Sequence, residues 1–196
     1  MGTEAIGQVL GQQCAPVIAG VKPSNLLIVE TGSQNVLAHV LNGTNLCTRR
    51  LYTSAEKDYW LLFEPEKLGV LLQEPEVRQY LRECGYSLEY GGNELEEALV
   101  RLAVRFRSYK QTGGGFPHEM GVFLGYPLGD VKGFVENNGQ NFKQSGYWKV
   151  YDDVAYANQI FELYARVREK ALELCGQGMR IPDIWKSLRT TLAYEF

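Results

Sequence analysis

The chain has 196 residues, 45% of them hydrophobic and 22% charged, with a net charge of −3. A chain of this length buries roughly 70% of the surface its unfolded form exposes, so it needs neither a metal nor a disulfide to fold. The slightly acidic balance excludes a general electrostatic affinity for nucleic acid, which requires a basic footprint. No apolar run approaches the roughly 18 residues of a membrane span.

Residues 3–21 read as a helix, with Ile6, Val9, Leu10, Cys14, Val17 and Val21 on one stripe. Pro16 removes a backbone donor, so a kink or a fresh helix start is expected there. Lys22-Pro23 ends the segment, and Leu26–Glu30 is a short β-compatible run. Ser33 is placed to cap a helix through Asn42, with Val36, Leu37, Val40 and Leu41 inward and Gly43 as its stop. Leu46–Tyr52 and Asp58–Phe63 flank a short polar loop and predict a β-hairpin, although the alternation of Cys47, Arg49 and Leu51 is imperfect.

Pro65 and Pro75 each suit a first helical position, giving helices over 65–73 and 75–84 that Gly85 closes. Asn93 and Glu96 form a capping-box pattern. They open an amphipathic helix with Leu95, Leu99, Leu102, Ala103 and Phe106 inward. Gly113-Gly114-Gly115 is a break and Pro117 predicts a new helix. Gly125-Tyr126-Pro127 divides that helix from the next, which Asn138-Gly139 ends, and Tyr147–Tyr151 reads as a strand. Asp153 caps the longest helix, over 154–175, whose seam runs from Ala157 through Ile160, Phe161, Tyr164, Val167 and Ala171 to Leu174. A last helix over 182–192 buries Ile184, Trp185, Leu188 and Leu192. The expectation is one α+β domain over 1–196: a small, mostly antiparallel sheet, made of the segments near 46–52, 58–63 and 147–151, with the long helix packed on it.

Four cysteines, Cys14, Cys47, Cys84 and Cys175, form no CxxC pair and no zinc spacing, so reduced thiols and a cytoplasmic location are expected. The start, Met1-Gly2-Thr3-Glu4, has no basic region before an apolar run and reads as no signal peptide.

Five features carry chemistry. The segment His118–Phe134 has helix-turn-helix spacing, with Gly121, Gly125 and Val131 at the sterically demanding places. Its second helix offers Leu128, Gly129, Asp130 and Lys132, with no Arg, Asn or Gln to read base edges, and Asp130 and Glu136 repel phosphate. A structural corner is the favoured reading, and no nucleic-acid partner is expected. Gly113, Gly114 and Gly115 before a helix can present amides to an anion, yet Pro117 removes one of them and no strand leads into the loop. His118 and Glu119 fall in a first helical turn, where the acid suits the helix dipole and the histidine suits a base or ligand. Position 122 is Val, which excludes an HExxH metalloprotease site. The other histidine, His39, reads as a hydrogen-bonded core residue.

Cys14 would be poised as a nucleophile if Pro16 began a new helix, with His118 as its partner; the plainer reading is a thiol in an apolar stripe. Tyr147, Trp148 and Tyr151, with Phe142, Lys143 and Lys149, offer rings and charge to a planar ligand such as a flavin, haem or base. The preceding loop, with Asn137, Asn138, Gln140 and Asn141, is polar enough to bond a ligand or simply to be solvated. The candidate catalytic residues are thus Cys14, His118 and Glu119. The candidate ligand contacts are Gly113, Gly114, Gly115, Asn141, Lys143 and Trp148. No metal ligand set stands out and no cofactor is specified.

The stretch FPHEMGVFLGYPLGDVKGFVENNGQNFKQSGYWKVY, residues 116–151, closely resembles the signature of an uncharacterised family of clostridial and related Firmicutes proteins, a domain of unknown function. CAPVIAGVKPSNL, residues 14–26, resembles that family's opening motif. The resemblance implies a cytoplasmic protein of anaerobic bacteria in an iron or redox setting, and it implies no activity. The leading expectation is a protein that binds a small ligand or a protein partner. The alternatives are a cysteine-dependent enzyme and, disfavoured, a helix-turn-helix regulator.

Overall fold

The computed structural model describes residues 1–87 and 93–193. Its order is α1 (Thr3–Ile18), β1 (Ser24–Glu30), α2 (Gln34–Leu41), β2 (Cys47–Thr53), β3 (Lys57–Phe63), α3 (Pro65–Gln73), α4 (Pro75–Glu83), α5 (Glu94–Thr112), α6 (Met120–Phe123), α7 (Leu128–Glu136), β4 (Gln144–Ser145), β5 (Lys149–Val150), α8 (Val154–Gly176) and α9 (Ile181–Ala193). The class is α+β, and the main sheet is antiparallel in the order β1-β3-β2.

The sheet is buried on both faces, and period-2 alternation along its strands divides the core. Leu27 and Val29 of β1 and Trp60 and Leu62 of β3 belong to the core on the α1 side, where α2, α8 and α9 pack around α1. Leu51 of β2 and Leu61 and Phe63 of β3 face α3, α4, α5 and α6. The register pairs Leu27 with Trp60 and Leu26 with Leu61, which keeps each pair on one face. The imperfect alternation of β2 is a β-bulge. Arg50 pairs with Trp60 and Tyr52 with Tyr59, so Leu51 is the extra residue, and its side chain turns fully into the core.

The long helix α8 does not lie on the sheet; it packs along α1. Close approach is possible at Gly11, where a β-carbon would stand 3.0 Å from Cys175 Sγ. The outer edge of β1 is closed by a side chain rather than a strand. Gln13 donates to the Ile28 carbonyl (3.2 Å) and accepts from the Ile28 amide (2.9 Å), as a neighbouring strand would.

Several local expectations give way to longer-range ones. Pro16 neither kinks α1 out of the core nor starts a helix. It sits inside the last turn, where only one intrahelical bond is lost, and Gly20 at φ +77° ends the segment. Ser33 and Asn93 occupy cap positions, but neither side chain caps. Glu96, the other half of the expected capping box, instead pairs with Arg49 of β2, and Glu94 pairs with Arg78 of α4 (2.9 Å). Asp153 does cap α8, accepting from the Tyr156 amide at 2.9 Å. The 147–151 segment is not part of the main sheet: only Lys149–Val150 is strand, paired with Gln144–Ser145 in a separate two-stranded ribbon. The third strand of the sheet is β1, the run read only as β-compatible. His39 is exposed on α2 rather than in the core. Leu192 falls outside the residues whose side chains are described.

The helical corner depends on Gly125, which has φ +72° and would place a β-carbon 2.7 Å from the Pro23 ring. Gly125→Val is expected to cost about 2 kcal/mol from backbone strain, plus whatever Pro23 must yield. Urea melts of the two proteins measure this directly, and equal midpoints would show the corner tolerates a side chain.

Candidate functional site

The corner after α5 builds one wall of a cavity. Pro117 does not open a helix; residues 117–119 form turns whose carbonyls accept from Met120, Gly121 and Val122, and α6 follows as a single turn. Gly121 lets α6 lie against α7, since a β-carbon there would stand 2.9 Å from Val131 Cγ2.

The opposite wall is the β4–β5 ribbon, and α7 holds it through its small residues and one acid. A β-carbon on Gly133 would lie 2.6 Å from Tyr151, and one on Gly129 3.1 Å from Asp152. Between these glycines Asp130 is buried. Its Oδ2 accepts from Trp148 Nε1 (2.6 Å), and its Oδ1 accepts from the amides of Tyr151 (2.7 Å) and Asp152 (2.9 Å). Trp148 is then fixed on two more sides, stacked on Tyr126 at 5.3 Å and meeting Phe161 edge-on at 4.5 Å. The ribbon is tied to the preceding loop by Lys149, whose Nζ donates to the Gly139 carbonyl at 2.6 Å. That loop turns through Asn138 (φ 50°) and Asn141 (φ 57°), left-handed positions that asparagine tolerates better than most residues.

The half-open space between these walls is about 480 Å³. Phe116, Tyr126, Phe134 and Trp148 supply its rings; Met120, Leu124 and Val131 supply aliphatic surface; His118, Asp130, Ser145 and Lys149 supply its polar side chains. His118 is exposed at the rim, its ring 5.5 Å from that of Phe116 and 5.2 Å from that of Phe134. Burial raises the Tyr126 pKa. A second cavity of about 520 Å³ lies near the α8–α9 turn, with Glu4, His39 and Arg180 among its lining residues.

Of the candidate catalytic and ligand-contact residues, His118 and Trp148 meet at the first cavity. The other candidates stand elsewhere. Glu119 turns inward, is buried, and takes hydrogen bonds from Tyr86 (3.0 Å) and both from Arg105 Nε and from Arg105 Nη2 (3.3 Å). It clamps α5 and the chain after α4 to the corner. The hydrogen bond to Glu119 raises the Arg105 pKa, and burial, with Glu119 adding to it, raises that of Tyr86. Gly113 ends α5 in the left-handed conformation, and Gly114 and Gly115 continue exposed, away from the cavity lining. Asn141 is exposed and bonds Asn137 at 3.4 Å; Lys143 donates to the Asp152 carbonyl at 2.9 Å.

Cys14 lies within α1 rather than at a helix start, fully buried in the core beneath the sheet. Burial pushes its thiol up to about 12, against the weaker pull of Lys22 and a hydrogen bond from Asn25. That is the reverse of the thiolate stabilisation a helix start would provide. Cys14 does not line the cavity where His118 stands.

Sequence reasoning missed the importance of Asp130 and Tyr126. An acid between two glycines four apart, facing an aromatic strand, was the available signal for Asp130; only its burial gives it meaning. Among the described residues no helix is long and apolar enough to cross a membrane, and no cluster of His, Cys, Asp and Glu is suited to a metal ion. No curated protein and no solved structure matches the chain. Residues 10–185, which include the whole corner and ribbon, match the family described as "Protein of unknown function (DUF3793)", and the chain belongs to that family.

Proposed function

We propose that this protein binds a small, planar, largely apolar ligand in the cavity between the helical corner and the β4–β5 ribbon. The observation that carries the reading is the buried Asp130 spending three hydrogen bonds on holding Trp148 and the ribbon as one wall of an aromatic-lined space. A ring fixed before binding loses little freedom on binding. The cavity falls within the range of about 300–1,000 Å³ typical of small-molecule sites. In this reading the corner is structural and reads no DNA: α7 gives Asp130 and Gly133 to the ribbon and Val131 to α6, and its exposed side carries the acid Glu136 beside a single base, Lys132. A cytoplasmic location is part of the same reading, supported by an exposed free thiol at Cys47.

Titration with 2-naphthol and 2-naphthoate, followed by tryptophan fluorescence and by thermal shift, tests it. Saturable binding is expected for at least one of the two. It should weaken at least ten-fold in Ser145→Trp, which fills the mouth from an exposed strand position and leaves the core untouched. No saturation, or the same affinity in Ser145→Trp, would remove the cavity as a binding site.

A further inference from the structure

We propose that the ligand of this cavity is an aromatic acid, its ring system lying against Trp148 and Tyr126 and its anionic group held at the rim by Lys149 and His118. The proposal rests on the binding reading above and gives it a ligand class.

The argument is one of charge. Two polar groups flank the Phe134 ring at the mouth: the His118 ring at 5.2 Å and the Lys149 ammonium at 5.6 Å. Lys149 also stands over Phe142 at 4.7 Å. Among the described residues its one hydrogen bond goes to a neutral carbonyl, that of Gly139, which leaves two of three ammonium donors unspent on them. None of the ion pairs among the described residues involves Lys149. Among the described residues the imidazole of His118 has only ring contacts, to Phe116 and Phe134, and neither of its nitrogens is bonded to them.

The acid that lines the cavity does not offset them. Asp130 already accepts three N–H bonds, from Trp148, Tyr151 and Asp152, so its charge is answered from within the protein and little of it is offered to a ligand. Aromatic walls alone would suit an organic cation as well as a neutral ring. An ammonium at the mouth with no carboxylate partner among the described residues repels such a cation and attracts a carboxylate or another planar anion. Ser145, exposed on β4 beside the opening, adds a hydroxyl donor on the same side. The cavity thus has an apolar aromatic interior and a rim of donors, which is the complement of a ring bearing an acid.

Three probes that share one ring system separate the outcomes: 2-naphthoate, neutral 2-naphthol and 2-naphthylmethylammonium, titrated at pH 7 and low salt. The acid is expected to bind at least ten-fold more tightly than 2-naphthol, and the cation more weakly than either. Lys149→Met should remove most of the advantage of the acid while leaving 2-naphthol within about two-fold, and Lys149→Arg should restore it. Near-UV circular dichroism of Lys149→Met checks that the ribbon stays in place without the bond to Gly139. His118→Gln, which keeps a donor, should cost less than His118→Ala. Equal affinity for acid and alcohol, preference for the cation, or equal losses for both probes in a folded Lys149→Met would overturn the assignment while the cavity remains a binding site. If none of the three saturates, the binding reading itself falls, and this proposal with it.

Discussion

Asp130→Ala is expected to destabilise the protein by about 3–4 kcal/mol and to release the aromatic ribbon from α7. The side chain is 3% exposed and accepts three hydrogen bonds. Bonds to a charged acceptor contribute about 1.5–3 kcal/mol each, and a donor left buried without a partner costs about 1–3 kcal/mol. The Trp148 indole N–H is the donor most affected, because Trp148 is buried and water cannot replace the carboxylate without opening the cavity. The amides of Tyr151 and Asp152 lie nearer the surface and recover part of their loss from solvent. Asp130→Asn keeps an acceptor for those two amides but turns an amide N–H toward the indole N–H, so an intermediate cost of about 2 kcal/mol is expected. Urea unfolding measures both, and near-UV circular dichroism reports whether Trp148 loses its fixed environment. A loss below 1 kcal/mol for Asp130→Ala, with the near-UV signal intact, would show that packing alone holds the ribbon.

The second large effect depends on pH. Lys22 follows α1, only 3% exposed, its ammonium bonded to the Asn25 side-chain oxygen and lying 5.2 Å over the Tyr126 ring and 5.8 Å over that of Tyr164. No carboxylate pairs with it among the described ion pairs. Burial lowers its pKa from 10.5 to about 8, with the nearby Cys14 acting in the opposite sense. A lysine whose folded pKa is depressed carries its full penalty below the folded value. Between about 8 and 10.5 the unfolded chain holds a proton that the folded one has lost, so stability rises with pH across that window. The total is on the order of 3 kcal/mol, at about 1.4 kcal/mol per unit. Cys14 works the other way: its thiol is pushed up to about 12 from 9.0, so the folded state keeps a proton the unfolded state gives up, and stability falls above pH 9.

A comparison with Lys22→Met separates the two, because Cys14 is present in both proteins. Measured by urea unfolding from pH 7 to pH 10.5, the wild type should gain on the order of 3 kcal/mol relative to Lys22→Met, most steeply midway between the folded and unfolded lysine values of about 8 and 10.5. Parallel stability curves would mean that Lys22 titrates in the folded state as it does in water. Tyr126 links this residue to the cavity, since the same ring lies under the ammonium and stacks on Trp148.

The order of helices, most of their boundaries and the β2–β3 hairpin are legible in the amino-acid sequence because they are decided locally. Pro65 and Pro75 at first helical positions, Asp153 at a cap, Gly113 at a helix end and the apolar spacing of Leu99, Leu102 and Phe106 each act within a few residues of themselves. The places where the reading changes are those settled by partners far along the chain. Ser24–Glu30 becomes a strand of the main sheet because β3, some thirty residues on, offers it a complete register, while Lys149–Val150 pairs with its near neighbour Gln144–Ser145. Glu96 leaves its own helix end for Arg49, 47 residues away, since an ion pair to the sheet replaces a local cap. The candidate site divides in the same way. Aromatic residues around 147–151 and a histidine at the corner were visible as types, and so was the steric need for Gly121 and Gly125. That Asp130 is buried under Trp148, that Glu119 faces Arg105 instead of the opening and that Cys14 is sealed in the core were decided only by tertiary structure. Burial is a property of what packs over a residue, and hydrogen bonds spanning 14 to 22 residues have no periodic trace in the sequence.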